Sequence, residues 1–160
     1  ITFGNAEKKI PFDNIVVNKE PINYKKIIFE DFEGNTVNLK NYSAKIYVLN
    51  FWTTWCAPCK EEMPSLDKLD QINGIKVFPI NIEKKSQKKT IFFFKDLGIK
   101  NLSIFFDSNL YLVDLFNLRG VPTTLLLNSE GKEFARVIGS IDFLNKEFIE
   151  WISSNVELVY

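Results

Sequence analysis

Apolar residues along this chain occur in two kinds of segment. Residues 45–52 form an almost continuous apolar run, which predicts a strand covered on both faces, in the centre of a mixed or parallel sheet. Downstream, segments with helical spacing alternate with short strand-like runs. Helices are predicted near residues 58–72, 86–97, 109–116 and 142–153, and strands near residues 75–82, 102–106, 125–127 and 133–138. This order predicts a three-layer α/β domain with helices on both faces of the sheet.

The N-terminal part of the chain lacks such regularity. Pro11 and Pro21 interrupt it, and Ile15-Val16-Val17 offers at most a short strand. Residues 1–23 are therefore predicted to form an irregular arm, and residues 24–160 the folded domain.

Three local features complete the predicted secondary structure. Residues 26–30 and 36–39 predict an added β-hairpin, with Gly34 in the turn, where a positive φ angle suits glycine. Pro79 predicts a bulge or an interrupted ladder in its strand. The apolar cluster at residues 91–94 is interpreted as core that covers the sheet.

Composition limits the classes of function. With 160 residues and 46% hydrophobic residues, the chain is long enough for one domain with a full core. Its 20 basic and 20 acidic residues cancel, which argues against nucleic acid or an anionic membrane as a partner. No stretch approaches the roughly 20 apolar residues that span a bilayer, so we expect a soluble domain. We also expect this domain to be a monomer. Because the sequence begins at Ile1 rather than methionine, we expect that an upstream segment has been removed.

The two cysteines of the chain, Cys56 and Cys59, lie between the predicted central strand and the helix that follows it. This spacing puts them at i and i+3 of the first helical turn, where the sulfurs can cycle between dithiol and disulfide. Cys56 falls at or beside the helix N-cap, where unpaired backbone N–H groups and the helix dipole lower a thiol pKa. We therefore expect Cys56 to attack and Cys59 to resolve the mixed disulfide. Pro58 suits the first turn, because the N–H it lacks has no partner there.

Other uses of the cysteine pair fit the sequence less well. A disulfide that stabilises a fold usually closes a longer loop than the one between Cys56 and Cys59. A structural zinc site needs four Cys or His ligands, and the chain has two cysteines and no histidine. Covalent haem attachment needs histidine where Lys60 stands. A Cu(I) site stays open, because two thiolates suit that ion and Met63 could assist. A copper-handling binding module is therefore the alternative from another class.

The order of elements, with Trp55-Cys56-Ala57-Pro58-Cys59 and Val121-Pro122-Thr123, resembles the thioredoxin fold from about residue 24 to 155. Within that fold, residues 50–64 and 120–124 are most similar to the TlpA/ResA-like thiol-disulfide oxidoreductases. The resemblance implies a thioredoxin-like domain in a periplasmic or other extracytoplasmic location, anchored to a membrane through an N-terminal segment. It also implies reduction of disulfides in cytochrome c maturation or oxidase assembly, with no cofactor and no metal.

The resemblance assigns roles to individual residues. Pro122 matches the family's cis-proline, which lies against the cysteine pair and leaves the backbone of Val121 free to bond an extended substrate. Glu62 matches an acidic residue that influences the cysteine pKa values; its carboxylate would oppose ionisation of Cys59 and could relay a proton. The alternative for Glu62 is a solvated residue on the helix face. Asn50 stands where thioredoxin has a buried aspartate, which leaves proton transfer to Glu62 or water. Substrate contacts are expected from Trp55, Ala57, Pro58, Val121 and Pro122.

Together these inferences predict an enzyme that exchanges disulfides with partner proteins, in the direction of a reductase. A membrane thiol-reducing electron donor is expected to keep the pair reduced. Characterised CxxC pairs span roughly −120 to −270 mV, so an oxidase or isomerase stays open, as does the copper-handling module.

Overall fold

The structure, a computed structural model, describes residues 9–155. Predictions for residues 1–8 of the arm and for residues 156–160 lie outside the described residues. The strands are β1 (Ile15–Ile22), β2 (Ile28–Glu30), β3 (Thr36–Asn38), β4 (Ile46–Trp52), β5 (Ile75–Asn81), β6 (Phe105–Phe106), β7 (Thr123–Leu127) and β8 (Glu133–Ile138). The helices are α1 (Ala57–Leu69), α2 (Gln87–Asp96), α3 (Tyr111–Leu115) and α4 (Lys146–Asn155), with a 3-10 turn at Leu39–Asn41. Within this range the strands form one mixed sheet in the order β1-β8-β7-β4-β5-β6-β2-β3.

β4 is the central strand that its apolar run predicts. It pairs in parallel with β5 and antiparallel with β7, and all seven of its residues are buried. Successive side chains point to opposite faces of the sheet, so the strand contributes to two cores. Ile46, Val48 and Trp52 pack in one core, and Tyr47, Leu49 and Phe51 pack in the other.

Helices cover both faces of the sheet, which confirms the predicted α/β arrangement of three layers. α1, α2 and α4 bury Met63, Phe93 and Phe148 in one core, while α3 and β2 bury Leu112 and Phe29 in the other. None of the helices between residues 9 and 155 is long and apolar enough to cross a bilayer. Only residues 53–56 separate the end of β4 from α1, so the central strand positions the start of this helix.

The added β-hairpin is also confirmed. β2 and β3 pair antiparallel, with Ile28 opposite Asn38, and Gly34 in the turn has a φ of +91°. The Asp31 carboxylate closes the turn by accepting hydrogen bonds from the N–H groups of Glu33 and Asn35, at 3.0 and 2.8 Å. Because β2 also pairs with β6, the hairpin extends the sheet on the side away from β1.

The prediction of an irregular arm is wrong for residues 15–22. These residues form β1, which pairs antiparallel with β8 and places Ile15 opposite Val137. Val16 and Val17 are both exposed, so this edge strand lacks the alternation that marks a half-buried strand. Pro21 lies where the register shifts between residues 17 and 22, and an edge strand tolerates proline at such a position.

Of two smaller predictions, the one for Pro79 is wrong and the one for residues 91–94 holds for half of its residues. The register between β4 and β5 runs without a shift past Pro79, which lies opposite Asn50. β6 pairs with β5 only after this residue, so Pro79 has a neighbouring strand on one side alone. In α2, Phe93 and Phe94 are buried but Ile91 and Phe92 are exposed, since consecutive helical residues cannot all face the sheet.

Candidate active site

Cys56 and Cys59 are joined by a disulfide at the start of α1. Cys56 is the N-cap of the helix, as predicted, and its Sγ accepts a hydrogen bond from the backbone N–H of Cys59 at 3.2 Å. Cys56 is 4% exposed, whereas Cys59 has no exposed surface. In the dithiol form, the same N–H and the helix dipole would stabilise a thiolate on Cys56.

The loop that leads into Cys56 is held by Glu83, which follows β5. The Glu83 carboxylate accepts hydrogen bonds from the N–H of Thr54 at 2.7 Å and from its hydroxyl at 3.0 Å. It also accepts one from the side-chain amide of Asn81 at 3.0 Å. Glu83 is not among the residues predicted from the sequence. The available signal was its position just past the end of β5, because neighbouring parallel strands end at the same edge of a sheet.

Glu62 is buried beneath the start of α1, with 2% exposure, and does not lie on a solvated helix face. Asn50 Nδ2 donates hydrogen bonds to Glu62 Oε1 and to Thr124 Oγ1, both at 2.9 Å, and the N–H of Ile141 lies 3.4 Å from Glu62 Oε2. Burial raises the pKa of Glu62 to about 8, although the bonds from Asn50 and Ile141 act in the opposite direction. The carboxyl group can therefore gain or lose a proton near neutral pH.

The peptide bond between Val121 and Pro122 is cis, as the resemblance implies. β7 starts directly after this bond and pairs antiparallel with β4, which places the bond beside the end of β4 that leads to the cysteines. Val121 packs against the core cluster that contains Cys56 and Cys59. The carbonyl of Pro122 accepts a hydrogen bond from the N–H of Gly139 at 2.9 Å, and a cleft of about 550 Å³ opens along this segment.

The amino-acid sequence matches a known protein family and several of its relatives. The profile of the AhpC/TSA family matches residues 22–132. The chain belongs to this family. Thiol-disulfide oxidoreductase ResA of Halalkalibacterium halodurans is 32% identical over 130 residues, which cover 78% of this chain and 72% of the relative. ResA of Bacillus subtilis is 32% identical over 117 residues, which cover 71% of this chain and 64% of the relative.

A solved structure shows the same fold. The crystal structure of a DsbF homologue from Corynebacterium diphtheriae superposes with a TM-score of 0.71 at 28% identity, covering 88% of this chain and 92% of that one. The superposition shows the thioredoxin fold, and the ResA relatives and the bonded Cys56–Cys59 pair show the chemistry. The chain is therefore a thiol-disulfide oxidoreductase of thioredoxin fold.

The predicted substrate-contact residues of this oxidoreductase differ in exposure. Trp55 is 74% exposed, and Ala57 and Pro58 at the first turn of α1 are exposed too. Val121 is half-buried and Pro122 is buried. Sequence analysis did not identify Thr124 or the N–H of Ile141 as partners in the Glu62 network, because strand register and a loop after β8 bring them there.

Proposed function

We propose that this oxidoreductase reduces disulfide bonds of partner proteins, with Cys56 as the nucleophile and Cys59 as the resolving thiol. The observation that carries the proposal is the asymmetry of the pair. Cys56 caps the helix, receives an N–H hydrogen bond and has some exposed surface, whereas Cys59 is fully buried. Because only a thiolate attacks a disulfide, these features favour Cys56 as the first sulfur to react.

The reaction proceeds in two exchange steps. The Cys56 thiolate attacks one sulfur of the substrate disulfide, which forms a mixed disulfide and releases the other substrate sulfur as a thiolate. The Cys59 thiolate then attacks Cys56 Sγ, which releases the second substrate thiolate and forms the Cys56–Cys59 disulfide. Two electrons pass to the substrate, and an external dithiol donor restores the pair by the reverse steps.

Glu62 serves as the proton acceptor for Cys59 in this proposal. Cys59 is buried and must lose its proton before the second step. Glu62 lies one turn further along α1, and its pKa of about 8 is close to the value of about 8.5 for a free thiol. With this raised pKa the carboxylate is a stronger base than an ordinary glutamate and can take up a proton from a thiol, and Asn50 holds it in place through the bond to Oε1.

The substrate segment is proposed to lie over the disulfide, between two surfaces that flank it. Trp55, Ala57 and Pro58 form the exposed side, with the Trp55 ring as an apolar contact. Val121 and Pro122 form the other side, where the backbone of Val121 is proposed to bond an extended chain.

The cellular setting is proposed from the likeness to ResA and to TlpA/ResA-like enzymes. Identity of 32% to ResA proteins supports an extracytoplasmic role in which a membrane thiol-reducing donor supplies electrons. Reduction of disulfides in cytochrome c maturation or oxidase assembly, membrane attachment through an N-terminal segment, and a monomeric state belong to the same proposal.

A redox titration against glutathione, run beside Cu(I) competition with a chelator, tests this function. We expect a potential toward the reducing end of the range of roughly −120 to −270 mV, and weak Cu(I) binding. A potential near the oxidising end would make the protein an oxidase or isomerase. Tight Cu(I) binding without turnover of a disulfide substrate would favour the copper-handling module.

Trapping experiments separate the roles of the two cysteines. Cys59→Ser is expected to accumulate a mixed disulfide with a protein substrate, whereas Cys56→Ser is expected to form none. Accumulation in Cys56→Ser instead would reverse the assignment.

The pH profile of the exchange rate tests Glu62. In Glu62→Gln we expect the rise of the rate near pH 8 to be lost or shifted, whereas Glu61→Gln, at an exposed position of the same helix, should keep the profile of the parent. An unchanged profile in Glu62→Gln would remove Glu62 from the mechanism.

A further inference from the structure

A groove of about 710 Å³ opens next to the active site and shares no lining residue with the cleft at Val121–Pro122. One end is formed by Thr54, in the loop before Cys56, and by Lys60, which follows Cys59. The rest is formed by α2. We call this surface the α2 groove.

The α2 groove has an apolar centre that the core does not use. Phe92 is 70% exposed and Ile91 is 42% exposed. α2 is fixed to the sheet by Phe93, which also lines the groove, and by Phe94; their rings lie 4.4 and 5.5 Å from the ring of Trp52. The helix is therefore held on the sheet without Phe92, and exposed apolar side chains beside a reactive site are typical of an interaction surface.

The rim of the α2 groove is positively charged. It carries Lys60, Lys88, Lys89 and Lys95 against one acidic residue, Asp96, although the whole chain has equal numbers of basic and acidic residues. Residues 88, 91, 92 and 95 have the i, i+3, i+4, i+7 spacing of one helix face. Lys88 and Lys95 therefore flank the apolar pair along that face.

We propose that the α2 groove docks an acidic segment of the protein substrate, in which an apolar side chain lies between Asp or Glu residues. The apolar side chain would pack on Ile91 and Phe92, and the carboxylates would meet the flanking lysines. The inference rests on the proposed function, because docking here would select which disulfides reach Cys56. The concave shape and the position beside the cysteine loop fit a chain segment better than a membrane surface.

Two synthetic peptides test the inference. Each carries the same small disulfide loop, followed by leucines flanked either by glutamates or by lysines. At low salt we expect the wild-type protein to reduce the glutamate peptide with a kcat/KM about tenfold above that of the lysine peptide. The triple variant Lys88→Glu, Lys89→Glu, Lys95→Glu should reverse the preference, and Phe92→Ser should slow both peptides. Reduction of hydroxyethyl disulfide, which is neutral and small, should be the same in all variants.

Matched controls come from β1. Lys19→Glu and Val16→Ser change an exposed lysine and an exposed apolar residue outside the groove and should leave the reduction of both peptides unaffected. Equal rates for the two peptides, or a preference that the triple variant does not reverse, would overturn the inference. Phe92-dependent binding to anionic phosphatidylserine vesicles without a peptide preference would also overturn it, in favour of a membrane surface.

Equilibrium binding separates the groove from the exchange chemistry. The same two tails, labelled and without a disulfide, should show the same order as the reaction rates: the glutamate tail should bind more tightly than the lysine tail. If hydroxyethyl disulfide is not reduced, the proposed function fails, while tighter binding of the glutamate tail would still support the groove. Equal binding of the two tails would refute the groove whether or not exchange occurs.

Discussion

At the scale of single residues, Glu62 makes the stability of the fold depend on pH. Its pKa is about 8 in the folded protein, whereas a glutamate in an unfolded chain has a pKa of about 4.3. Between these values the folded state binds more protons than the unfolded state. The contribution of Glu62 to the free energy of unfolding is therefore complete at low pH and falls as pH rises through this window, by at most about 1.4 kcal/mol per pH unit.

Glu62→Gln should remove this dependence while keeping an oxygen that accepts the bond from Asn50. The difference in unfolding free energy, variant minus parent, should therefore increase by about 2 kcal/mol or more as the pH rises from 4.5 to 8. Urea unfolding of both oxidised proteins at the two pH values measures this, because the cysteines do not titrate and the other groups cancel in the comparison. A difference that is the same at both pH values would contradict the assignment.

Glu83 acts at the same scale on the loop before Cys56. Glu83→Ala removes the two hydrogen bonds that the carboxylate accepts from Thr54. We expect a loss of about 2 kcal/mol in unfolding free energy and faster hydrogen exchange at the Thr54 amide, measured by NMR. Glu61→Ala, an exposed change on α1, is the control and should leave that amide protected. Unchanged protection in Glu83→Ala would show that the loop is held by other contacts.

At the scale of elements, α1 is tied to the segment that follows α2. Asp67 of α1 is buried, and its carboxylate accepts hydrogen bonds from the N–H groups of Lys100, Asn101 and Leu102 at 3.1, 2.8 and 3.0 Å. This segment leads into β6, so a single side chain connects the helix that bears the cysteines to the parallel part of the sheet.

Asp67→Ala should leave three backbone donors without their acceptor. We expect a loss of about 3 kcal/mol in unfolding free energy, measured by urea denaturation, because unsatisfied buried groups cost more than the bond itself contributes. Asp67→Asn, which keeps one acceptor oxygen, should lose less. Equal losses in the two variants would point to packing rather than to the hydrogen bonds.

Elements defined by interactions between residues close in sequence could be predicted, whereas elements defined by pairing between distant residues could not. β4 and the N-cap position of Cys56 depend on local apolar runs and helix-end chemistry, and both could be predicted from the sequence. β1 could not, because its pairing with β8 is made over more than a hundred residues of chain and its exposed valines give no alternation. The same holds for Thr124, which reaches the site through strand register alone, whereas the position of Glu83 just past β5 was a usable signal.

At the scale of the whole molecule, an ion pair within β8 is hydrogen-bonded to the chain before the hairpin and to the chain before the Val121–Pro122 segment. Glu133 of β8 has no exposed surface, and its carboxylate accepts hydrogen bonds from Arg136 Nε and Nη2, both at 2.7 Å, and from the hydroxyl of Tyr24 at 2.5 Å. Arg136 Nη1 also donates to the carbonyl of Phe116 at 2.9 Å, close in sequence to the Val121–Pro122 segment. Three distant parts of the chain therefore meet at this ion pair.

A double-mutant cycle on this ion pair tests whether it couples those parts. Arg136→Met leaves the buried carboxylate without its cation, and we expect a loss of about 3 kcal/mol in unfolding free energy. Glu133→Gln should also destabilise, because Arg136 then lacks a carboxylate. The double variant should be more stable than the sum of the two losses predicts, since it leaves neither charge buried and unpaired. Strictly additive losses in urea denaturation would mean that the two side chains stabilise the fold independently, with Glu133 acting through Tyr24 and Arg136 through the carbonyl of Phe116.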